Sequence, residues 1–424
     1  MAKESKSTGK VPNKVPKLRF PGFEGEWRVK KLSDDAQFYS GGTPLTSKKE
    51  YFNGDIPFIR SGEINAHKTE QYITKKALSN SSAKMVAIGD ILYALYGATS
   101  GEVGISKING AINQAVLCIK SKNDHYFLAS YLRLQKENIV KTYLQGGQGN
   151  LSADIVKNLK IFIPSLTEQL KIASFITLLD ERIQTQNKII EGLKLSKKIL
   201  IKKIFNQQFS FDGGYNNKFP DWDEKKIKEL FSFKITNSFS REQLNYKNGK
   251  VKNIHYGDIH TRFQTLFDIE KEEVPYINAD LNISKINAEN YCEIGDMIFA
   301  DASEDLIDVG KSIEIVNLNN QKLLAGLHTI LARPITKTFS IGFCGYLFKS
   351  DRIRTQIQKE SQGSKVLSIS AVRLSNISLM VPCIEEQIEI TNFLSSIDSK
   401  IDIETRFLQK LEEQKKYLLH NLFI

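Results

Sequence analysis

The sequence is poor in cysteine and has no long apolar segment. Its four cysteines, Cys118, Cys292, Cys344 and Cys383, form no CxxC pair, and their spacing argues against a structural zinc site. No run of about 18 apolar residues is present, so no membrane-spanning helix is expected. The start, MAKESKSTGK, is charged and does not resemble a secretory signal. We therefore expect a cytoplasmic protein with reduced cysteines and no membrane contact.

Motifs for catalysis are also missing. No two of the ten prolines are adjacent, so the chain lacks the Asn/Asp-Pro-Pro-aromatic loop with which an adenine methyltransferase grips a flipped base. Gly310–Ser312 resembles the end of a phosphate-binding loop, but Asp305 stands where that loop needs its first glycine. Pro220-Asp221 followed by Asp223–Lys225 faintly resembles a nuclease motif, but its two halves are too close together to place three metal ligands. His255 and His260 do not form an HExxH pair. We predict no catalytic residue, metal site or cofactor in this chain.

What the sequence does have is length and positive charge. A chain of 424 residues exceeds one compact core and suggests two to four units. Its 59 lysines and arginines outnumber 48 aspartates and glutamates, which gives a formal net charge of +11. This surplus favours a polyanionic partner, because each phosphate neutralised by Lys or Arg releases counterions.

Two segments of the chain repeat each other without a gap. Residues 161–205 align with 379–423, which matches Pro164 with Pro382, Glu168-Gln169 with Glu386-Gln387, Phe175 with Phe393, Asp180 with Asp398 and Lys197 with Lys415. In each copy a proline precedes an acidic first turn, which is a signal for a helix start. No further proline follows in either copy. Each copy is therefore predicted to be one long helix.

Apolar residues in both copies recur at steps of three and four, which is typical of a coiled coil. Polar residues interrupt this seam at matching places, Gln186 and Lys197 in the first copy and Glu404 and Lys415 in the second. The apolar seam positions are Ile172, Ile176, Leu179, Ile183, Ile190, Leu193, Leu200 and Ile204, and Ile390, Leu394, Ile397, Ile401, Leu408, Leu411, Leu418 and Leu422. A long helix lying on a globular core is the alternative interpretation.

The charges of the two copies complement each other. The first copy is rich in lysine and the second in aspartate and glutamate, so the copies favour pairing with each other over self-pairing. The chain would run domain, helix, domain, helix. If equivalent helix ends lie beside equivalent domains, the two helices must be antiparallel.

The segments before the helices form a second, fainter repeat. Four pairs of short stretches match: Phe20-Pro21 with Phe219-Pro220, Ile59–Ile64 with Ile254–Ile259, Gly89–Ala94 with Gly295–Ala300, and 149–152 with 363–368. Runs of β-branched and aromatic residues predict strands at Ile91–Tyr96, Ala115–Ile119 and Met297–Ala300. A helix is predicted near His125–Leu144. One scaffold with two sets of loops suggests one task performed on two targets.

These patterns give an α+β fold class, with two α/β domains related by pseudo-twofold symmetry and separated by two long antiparallel coiled-coil helices. The predicted segments are a disordered basic tail at 1–15, a first domain at 16–163, a helix at 164–206, a second domain at 207–381 and a helix at 382–424. Residues 206–217 are predicted to be a polar linker.

In their order and duplication, these motifs resemble the specificity subunits of type I restriction-modification systems. The resemblance covers nearly the whole chain and rests on the Pro-x-x-x-Glu-Gln repeats at 164–169 and 382–387, Phe20–Phe23, the Gly41–Pro44 loop and Ile59–Ile64. It implies two target-recognition domains that bind double-stranded DNA and no catalysis by this chain. The second half departs from the pattern, since it has no Gly-Gly-Thr-Pro loop and Tyr256 stands where Ser61 does.

The resemblance also implies partner subunits. Two modification (methyltransferase) subunits and up to two restriction/translocase subunits are expected to bind, and S-adenosylmethionine, ATP and Mg are expected to belong to them. Adenine methylation and restriction would then be directed by this chain and performed by its partners.

Base recognition requires side chains that can hydrogen bond at the edge of a DNA groove. Polar residues beside glycine-containing loops are the candidates, and nearby lysines are more suited to phosphate. The base-contact candidates are Thr43, Arg60, Ser61, Thr99, Gln148 and Asn150 in the first domain and His255, Tyr256, Arg262, Ser303 and Gln362 in the second. The phosphate candidates are Lys48, Lys49, Lys247, Lys250, Lys252 and Lys365.

Two other functions fit the sequence less well. A self-contained nuclease or methyltransferase would act on DNA without partners. A coiled-coil adaptor without DNA readout would bind independently of sequence and be insensitive to salt, whereas DNA readers lose affinity steeply as salt rises.

Helix length predicts how the target is spaced. About 39 residues at a rise of 1.5 Å span roughly 58 Å, and a DNA turn is about 34–36 Å. We therefore expect two short, dissimilar half-sites with a few unread base pairs between them. Deleting one heptad should change the preferred gap and leave the half-site sequences unchanged, as measured by sequencing of methylated sites. Altered half-sites after this deletion would contradict the helix as a spacer.

Overall fold

The computed structural model describes residues 14–143, 150–211 and 219–424. The chain divides into two compact units. Unit 1 lies within Met1–Asn187 and Arg406–Ile424, and unit 2 is Lys188–Thr405. Both boundaries fall inside long helices, so each unit combines an α/β domain with parts of two helices.

The elements of unit 1 are short except for the helices shared with unit 2. Its strands are β1 (Arg28–Lys31), β2 (Ala36–Ser40), β3 (Phe52–Ile59), β4 (Tyr72–Ile73), β5 (Lys84–Val86), β6 (Ile91–Ala94), β7 (Val103–Ile105), β8 (Gly110–Ile112), β9 (Val116–Ser121) and β10 (Lys160–Ile163). Its helices are α1 (Lys75–Ser79), α2 (His125–Leu134), α3 (Lys136–Tyr143), α4 (Ala153–Lys157) and the first half of α5 (Leu166–Phe205).

Unit 2 follows the same order with different loops. Its strands are β11 (Asp223–Lys226), β12 (Phe231–Lys234), β13 (Leu244–Asn245), β14 (Lys252–Ile254), β15 (Leu266–Asp268), β16 (Tyr276–Ile277), β17 (Met297–Ala300), β18 (Ala302–Ser303), β19 (Ser312–Asn317), β20 (Leu323–Ala325), β21 (Thr329–Pro334), β22 (Leu367–Ser368) and β23 (Ser378–Val381). Its helices are α6 (Ile227–Leu230), α7 (Tyr256–Thr261), α8 (Phe343–Leu347), α9 (Asp351–Glu360), α10 (Ala371–Ser375) and the first half of α11 (Ile384–Leu422).

Each domain stacks two sheets around its central strand. Unit 1 has the orders β2-β9-β6-β7 and β4-β3-β8-β5, and unit 2 has β12-β21-β17-β19-β15 and β13-β16-β14-β20. Most neighbours are antiparallel, but β3 pairs with β8, β14 with β20 and β15 with β19 in parallel. The fold class predicted from the sequence, α/β domains joined to long antiparallel helices, is confirmed.

The central strands β6 and β17 are apolar throughout because both of their faces are buried. In β17, Met297 and Phe299 pack into the cluster that includes the helix ends, whereas Ile298 and Ala300 pack into the cluster on the opposite face. In β6, Ile91 and Tyr93 likewise face one cluster, and Leu92 and Ala94 face another. Side chains alternate along a strand, so a strand between two cores needs an unbroken apolar run.

The Glu-Gln pair at the start of each long helix attaches that helix to its domain. Glu168 is 2% exposed; it accepts hydrogen bonds from Trp27 Nε1 at 3.3 Å and from Arg19 at 2.8 Å. Gln169 Oε1 accepts from the backbone N–H of Asp124 at 2.9 Å. The buried carboxylate and amide are thus satisfied by the domain, as buried polar groups must be.

Unit 2 repeats this attachment. Trp222 Nε1 donates to Glu386 at 2.9 Å, and Gln387 accepts from the N–H of Ser340 at 2.9 Å. Gln387 Nε2 donates to the carbonyls of Pro382 and Thr338. The repeated Pro-x-x-x-Glu-Gln motif therefore marks a joint between domain and helix as well as a helix start.

The helix segments in each unit are antiparallel. In unit 1, Ile172 and Ile176 share a core with Leu422 and Phe423, whereas Arg182, one turn and a half further along α5, lies 5.3 Å from the ring of Phe407. Residues further along α5 therefore contact residues that come earlier in α11, so the two segments are antiparallel. In unit 2, Ile201, Ile204 and Phe205 of α5 share a core with Ile390 and Leu394 of α11. Lys197 of α5 pairs with Asp398 of α11. Every seam position predicted from the sequence is buried or half-buried.

An aspartate, a tyrosine and a lysine form what we call the interhelical clamp of each unit. In unit 1, Asp180 Oδ2 accepts from Tyr126 of the domain and Oδ1 pairs with Lys415 of α11. In unit 2, Asp398 Oδ2 accepts from Tyr346 at 2.7 Å and Oδ1 pairs with Lys197 of α5. Burial, followed by the neighbouring carboxylate, raises the pKa of both tyrosines, so each remains a donor. The lysines that interrupt the predicted seam are therefore the partners of the repeated aspartates.

Three local predictions need correction. The helix expected near His125–Leu144 is divided at Gln135 into α2 and α3, and Leu144 lies outside the described residues. The predicted disordered tail extended to residue 15, but the Lys14 carbonyl accepts from the N–H of Trp27 at 2.9 Å. In the predicted polar linker, Phe209 and Phe211 pack on Phe393 of α11. Residues 1–13 of that tail and 212–217 of that linker lie outside the described residues.

None of the helices described for this chain combines the length and apolar character needed to cross a membrane. The α5 and α11 helices are long enough, but charged side chains occur throughout both.

Removing one clamp carboxylate should weaken unit 1. In Asp180→Asn, Lys415 loses its counter-ion and Tyr126 loses a charged acceptor, so we expect the free energy of unfolding to fall by about 1–2 kcal/mol. Urea unfolding of the full chain measures this. The matched control is Glu413→Gln, which breaks an ion pair with Lys410 whose side chains are 66% and 77% exposed, and should change little. Equal effects of the two substitutions would contradict a stabilising clamp.

A buried glutamate in unit 2 should make stability depend on pH. Glu314 is 1% exposed and accepts from the N–H groups of Gly342 and Gly345 at 2.6 Å, yet burial raises its pKa to about 7. Between about pH 4.5 and 7, the folded protein holds a proton that the unfolded chain has released, so stability falls as pH rises through this window. The full loss, present above pH 7, is about 3 kcal/mol.

Glu314→Gln should remove that part of the pH dependence. Urea unfolding at several pH values between about 5 and 8 tests this, with the exposed Glu304→Gln as control. A slope that persists unchanged in Glu314→Gln would show that Glu314 does not titrate in this range.

Candidate nucleic-acid interface

Several predicted contact residues of unit 2 come together around Tyr256. The Tyr256 ring lies 4.6 Å from that of His255, 6.1 Å from that of His260 and 5.3 Å from that of His328. His260 Nε2 bonds the carbonyl of Ala302, which pairs in β18 next to Ser303. The structure thus brings three predicted residues, His255, Tyr256 and Ser303, into one neighbourhood.

Arg241 and Asp258 form an ion pair beside His255. Asp258 is 2% exposed and receives two hydrogen bonds from Arg241, at 2.8 and 3.0 Å. His255 Nδ1 accepts from the N–H of Gly257 at 3.1 Å and caps α7. Burial and then the charge of Arg241 lower the pKa of His255, which keeps this nitrogen an acceptor. His255 therefore caps α7 in this structure, and the base contacts predicted for His255 and Tyr256 stay predictions.

Arg262 is exposed but already has partners. Its guanidinium donates to Tyr246 at 2.9 Å and to Glu273 at 2.5 Å, and lies 5.5 Å from the Tyr246 ring. A base contact by Arg262 would require it to leave Glu273, an exchange that costs little at an exposed pair.

The predicted residues Gln362 and Lys365 lie in an exposed loop beside β18. The backbone groups of Gln362 and Ser368 exchange hydrogen bonds at 2.9 and 2.7 Å, and β22 pairs with β18. The loop is thus fixed next to Ser303, whose Oγ accepts from the N–H of Asp305.

In unit 1 the predicted residues lie in three places, near the ends of β3, β8 and β6. Arg60 at the end of β3 pairs with Glu63 at 3.1 Å and with Glu70 at 2.5 Å, and Ser61 follows it in a short turn. Thr43 donates to Gln114 at 2.7 Å in an exposed pair near the end of β8. Arg60 is therefore held by two carboxylates, as Arg262 is by one.

Two further predicted residues of unit 1 lie beside the β6 end. Thr99 donates to the carbonyl of Tyr96, and the N–H of Leu151, next to exposed Asn150, bonds the carbonyl of Leu95 at 2.9 Å. Gln148 lies outside the described residues.

The predicted phosphate-contacting lysines are mostly exposed. Lys48, Lys49, Lys247, Lys250 and Lys365 are exposed, whereas Lys252 is half-buried. The ammonium of Lys252 lies 5.4 Å from the centre of the Tyr276 ring, and burial lowers its pKa. Lys252 is thus less available to phosphate than the other five.

The two candidate interfaces share the same backbone frame. In unit 1, Leu95 N–H bonds the carbonyl of Ala115, and in unit 2 Asp301 N–H bonds the carbonyl of His328. The bond from Leu151 to Leu95 is matched by one from Ile369 to Asp301 at 2.8 Å. Equivalent backbone positions therefore carry different side chains, alanine in one unit and histidine in the other.

Within the described ranges, no group of three or more histidine, cysteine, aspartate or glutamate side chains could hold a metal ion. The cysteines Cys118, Cys292 and Cys344 are buried, and burial raises the pKa of each thiol. They remain protonated core residues.

The family described as type I restriction modification DNA specificity domain matches residues 24–195 and, a second time, residues 220–413. These two matches span most of the chain and correspond to its two repeats. The chain belongs to this family.

Individual specificity subunits are similar over nearly their whole length. The MjaVIII specificity subunit of Methanocaldococcus jannaschii is 26% identical over 415 residues, which cover 94% of this chain and 92% of that protein. The crystal structure of the S subunit from M. genitalium superposes with a TM-score of 0.56 at 17% identity and covers 97% of this chain and 99% of that one. A structure from a study of type I R-M complex assembly gives a TM-score of 0.59 at 15% identity, covering 96% and 99%. The latter two similarities concern the fold.

Sequence reasoning did not name several residues that lie in the candidate interface of this specificity subunit. Arg241, Tyr246, Gln114, Asp301 and His328 were not among the predicted contacts, although all five lie beside residues that were. Asp301 follows the repeated Gly295–Ala300 stretch directly, a signal that could have been used. Nothing in the sequence indicates that His328 joins Tyr256, because that contact connects α7 to the turn before β21.

Specificity subunits are the non-catalytic components of type I restriction-modification complexes. The predictions of the family, of DNA target recognition and of a non-enzymatic chain are confirmed by the family match.

Proposed function

We propose that each α/β unit reads one half of a two-part double-stranded DNA target and that partner subunits perform the chemistry. The observation that carries this proposal is the backbone frame that both units share, with different side chains at equivalent positions such as Ala115 in unit 1 and His328 in unit 2. When the backbone stays the same and the exposed loop residues differ, two unlike DNA sequences can be recognised with one geometry.

Side chains in the loops of both units can hydrogen bond with base edges. Gln114 with Thr43 in unit 1 offers an amide and a hydroxyl, and amides suit the N6 and N7 atoms of adenine. Tyr256 and His328 in unit 2 offer a phenol and an imidazole. Such contacts specify sequence, whereas contacts with phosphates mainly position the protein.

Exposed lysines lie in loops of both units. Lys49 in unit 1, and Lys247, Lys250 and Lys365 in unit 2, are exposed and can approach phosphates. Lys48 is also exposed, but its ammonium donates to Tyr51 Oη at 3.3 Å and would have to leave it. If these lysines contact phosphates, log affinity should fall linearly with log salt, because condensed counterions are released on binding.

The chemistry is assigned to other subunits. Two modification subunits and up to two restriction/translocase subunits would supply adenine methylation, ATP-driven translocation and cleavage, with S-adenosylmethionine, ATP and Mg held by them. A cytoplasmic location follows from that assignment, since chromosomal and invading DNA meet there.

Selection from a randomised DNA duplex library, with the full chain assembled with its modification subunits, tests the proposal. We expect a two-part consensus for the wild type. In Gln114→Ala, discrimination should fall by about tenfold at one base pair of one half-site, since a good base contact contributes about 1–3 kcal/mol. Lys410→Ala, on an exposed helix face, is the control.

Other outcomes would favour the competing functions. Binding without sequence preference and without salt dependence would identify an adaptor. Methylation or cleavage by the purified chain alone would identify a self-contained enzyme. A change in both half-sites in Gln114→Ala would contradict one unit reading one half.

A further inference from the structure

We propose that His328 is a base-reading residue of unit 2 and that Asp301 is its positioning residue. This inference rests on the proposed function and names the side chain that reads one base pair of the half-site assigned to unit 2. His328 lies in the turn between β20 and β21, with its side chain 52% exposed.

The backbone of His328 is held in an unfavourable conformation. Its φ is +56°, in the left-handed region, which is uncommon for residues other than Gly and which Asn, Asp and His adopt more often than the remaining types. Neighbouring bonds hold it there: Asp301 N–H donates to the His328 carbonyl at 3.0 Å, and Thr329 Oγ1 donates to the carbonyl of Gly326 at 2.5 Å. Glycine or asparagine would also suit this turn, so the turn itself does not require an imidazole.

The imidazole is oriented from two sides. Nδ1 lies 3.2 Å from Asp301 Oδ1, an arrangement in which the ring nitrogen donates to the carboxylate. The ring meets that of Tyr256 nearly at a right angle, 77° with 5.3 Å between centroids. Among the described residues no hydrogen bond involves His328 Nε2, so this atom is left for a ligand.

Tyr256, which packs against His328, is itself held by neighbouring side chains. Its ring is flanked by His255, which caps α7, and by His260, whose Nε2 bonds the carbonyl of Ala302 at 3.0 Å. Lys311 Nζ donates to the carbonyl of His260 at 2.6 Å. A recognition side chain held by neighbours that are themselves fixed loses little freedom on binding, which favours discrimination.

An exposed imidazole nitrogen can contact a base edge in either protonation state. Neutral, Nε2 accepts from the exocyclic amine of adenine or cytosine; protonated, it donates to N7 or O6 of guanine. In unit 1 the equivalent position is Ala115, which has no polar side-chain atom. The imidazole contact is thus specific to the half-site read by unit 2.

The variant His328→Asn tests the imidazole without disturbing the turn, because asparagine tolerates positive φ. In library selection with the assembled complex, we expect about tenfold weaker discrimination at one base pair of one half-site, equivalent to ~1.4 kcal/mol. Preferences at all other positions should stay as in the wild type. His420→Asn, the same change at an exposed helical histidine, is the control and should alter no position.

Asp301→Asn tests the positioning role. It should weaken discrimination at the same base pair as His328→Asn, and Asp301→Glu should recover part of it. A merely structural role would lower thermal stability without changing preference at a single position.

Two results would overturn the proposal. One is an unchanged preference at every position in His328→Asn; the other is an equal loss of affinity for all sequences, which would indicate a phosphate contact. If the wild type itself selects no consensus, the proposed function fails instead, so the two failures are distinguishable.

Discussion

A half-buried aspartate carboxylate on each long helix is the contact on which the architecture of each unit depends. One oxygen accepts from a tyrosine of the α/β domain and the other pairs with a lysine of the opposite helix. A hydrophobic seam alone permits a helix to slide by a heptad, because each apolar layer resembles the next. A charge that requires a partner at one height removes that freedom.

The Glu-Gln pair at each helix start adds the second fixed point. Its carboxylate and amide are almost completely buried and accept hydrogen bonds only where the domain presents the tryptophan and backbone N–H donors. Leaving such groups unsatisfied costs about 1–3 kcal/mol each. Domain and helix are thus joined through polar groups at the helix start and through the clamp three turns later, so that the orientation of the loops follows from the helix.

The loops are less constrained than the frame that carries them. Bonds between backbone groups hold Leu95 and Asp301 at equivalent places, but the side chains around them form different networks, with Thr43 and Gln114 in one unit and Tyr256, His328 and Asp301 in the other. Because backbone hydrogen bonds hold the frame, the side chains at these positions can differ between the two units while the frame stays the same. This separation is consistent with a family whose members must recognise different DNA sequences.

The repeat, the two long helices, their apolar seam and the family could all be predicted from the amino-acid sequence, because they depend on periodicity and on matched motifs that are local in the chain. It could not assign partners to Lys197 and Lys415, which interrupt the seam, nor show that Glu168 and Glu386 meet tryptophans. Nor could it show that His255 caps α7, or that Arg241 and His328 lie beside His255 and Tyr256. Those assignments depend on contacts between residues distant in the chain, on backbone conformations such as the positive φ of His328, and on burial, and only the tertiary structure decides them.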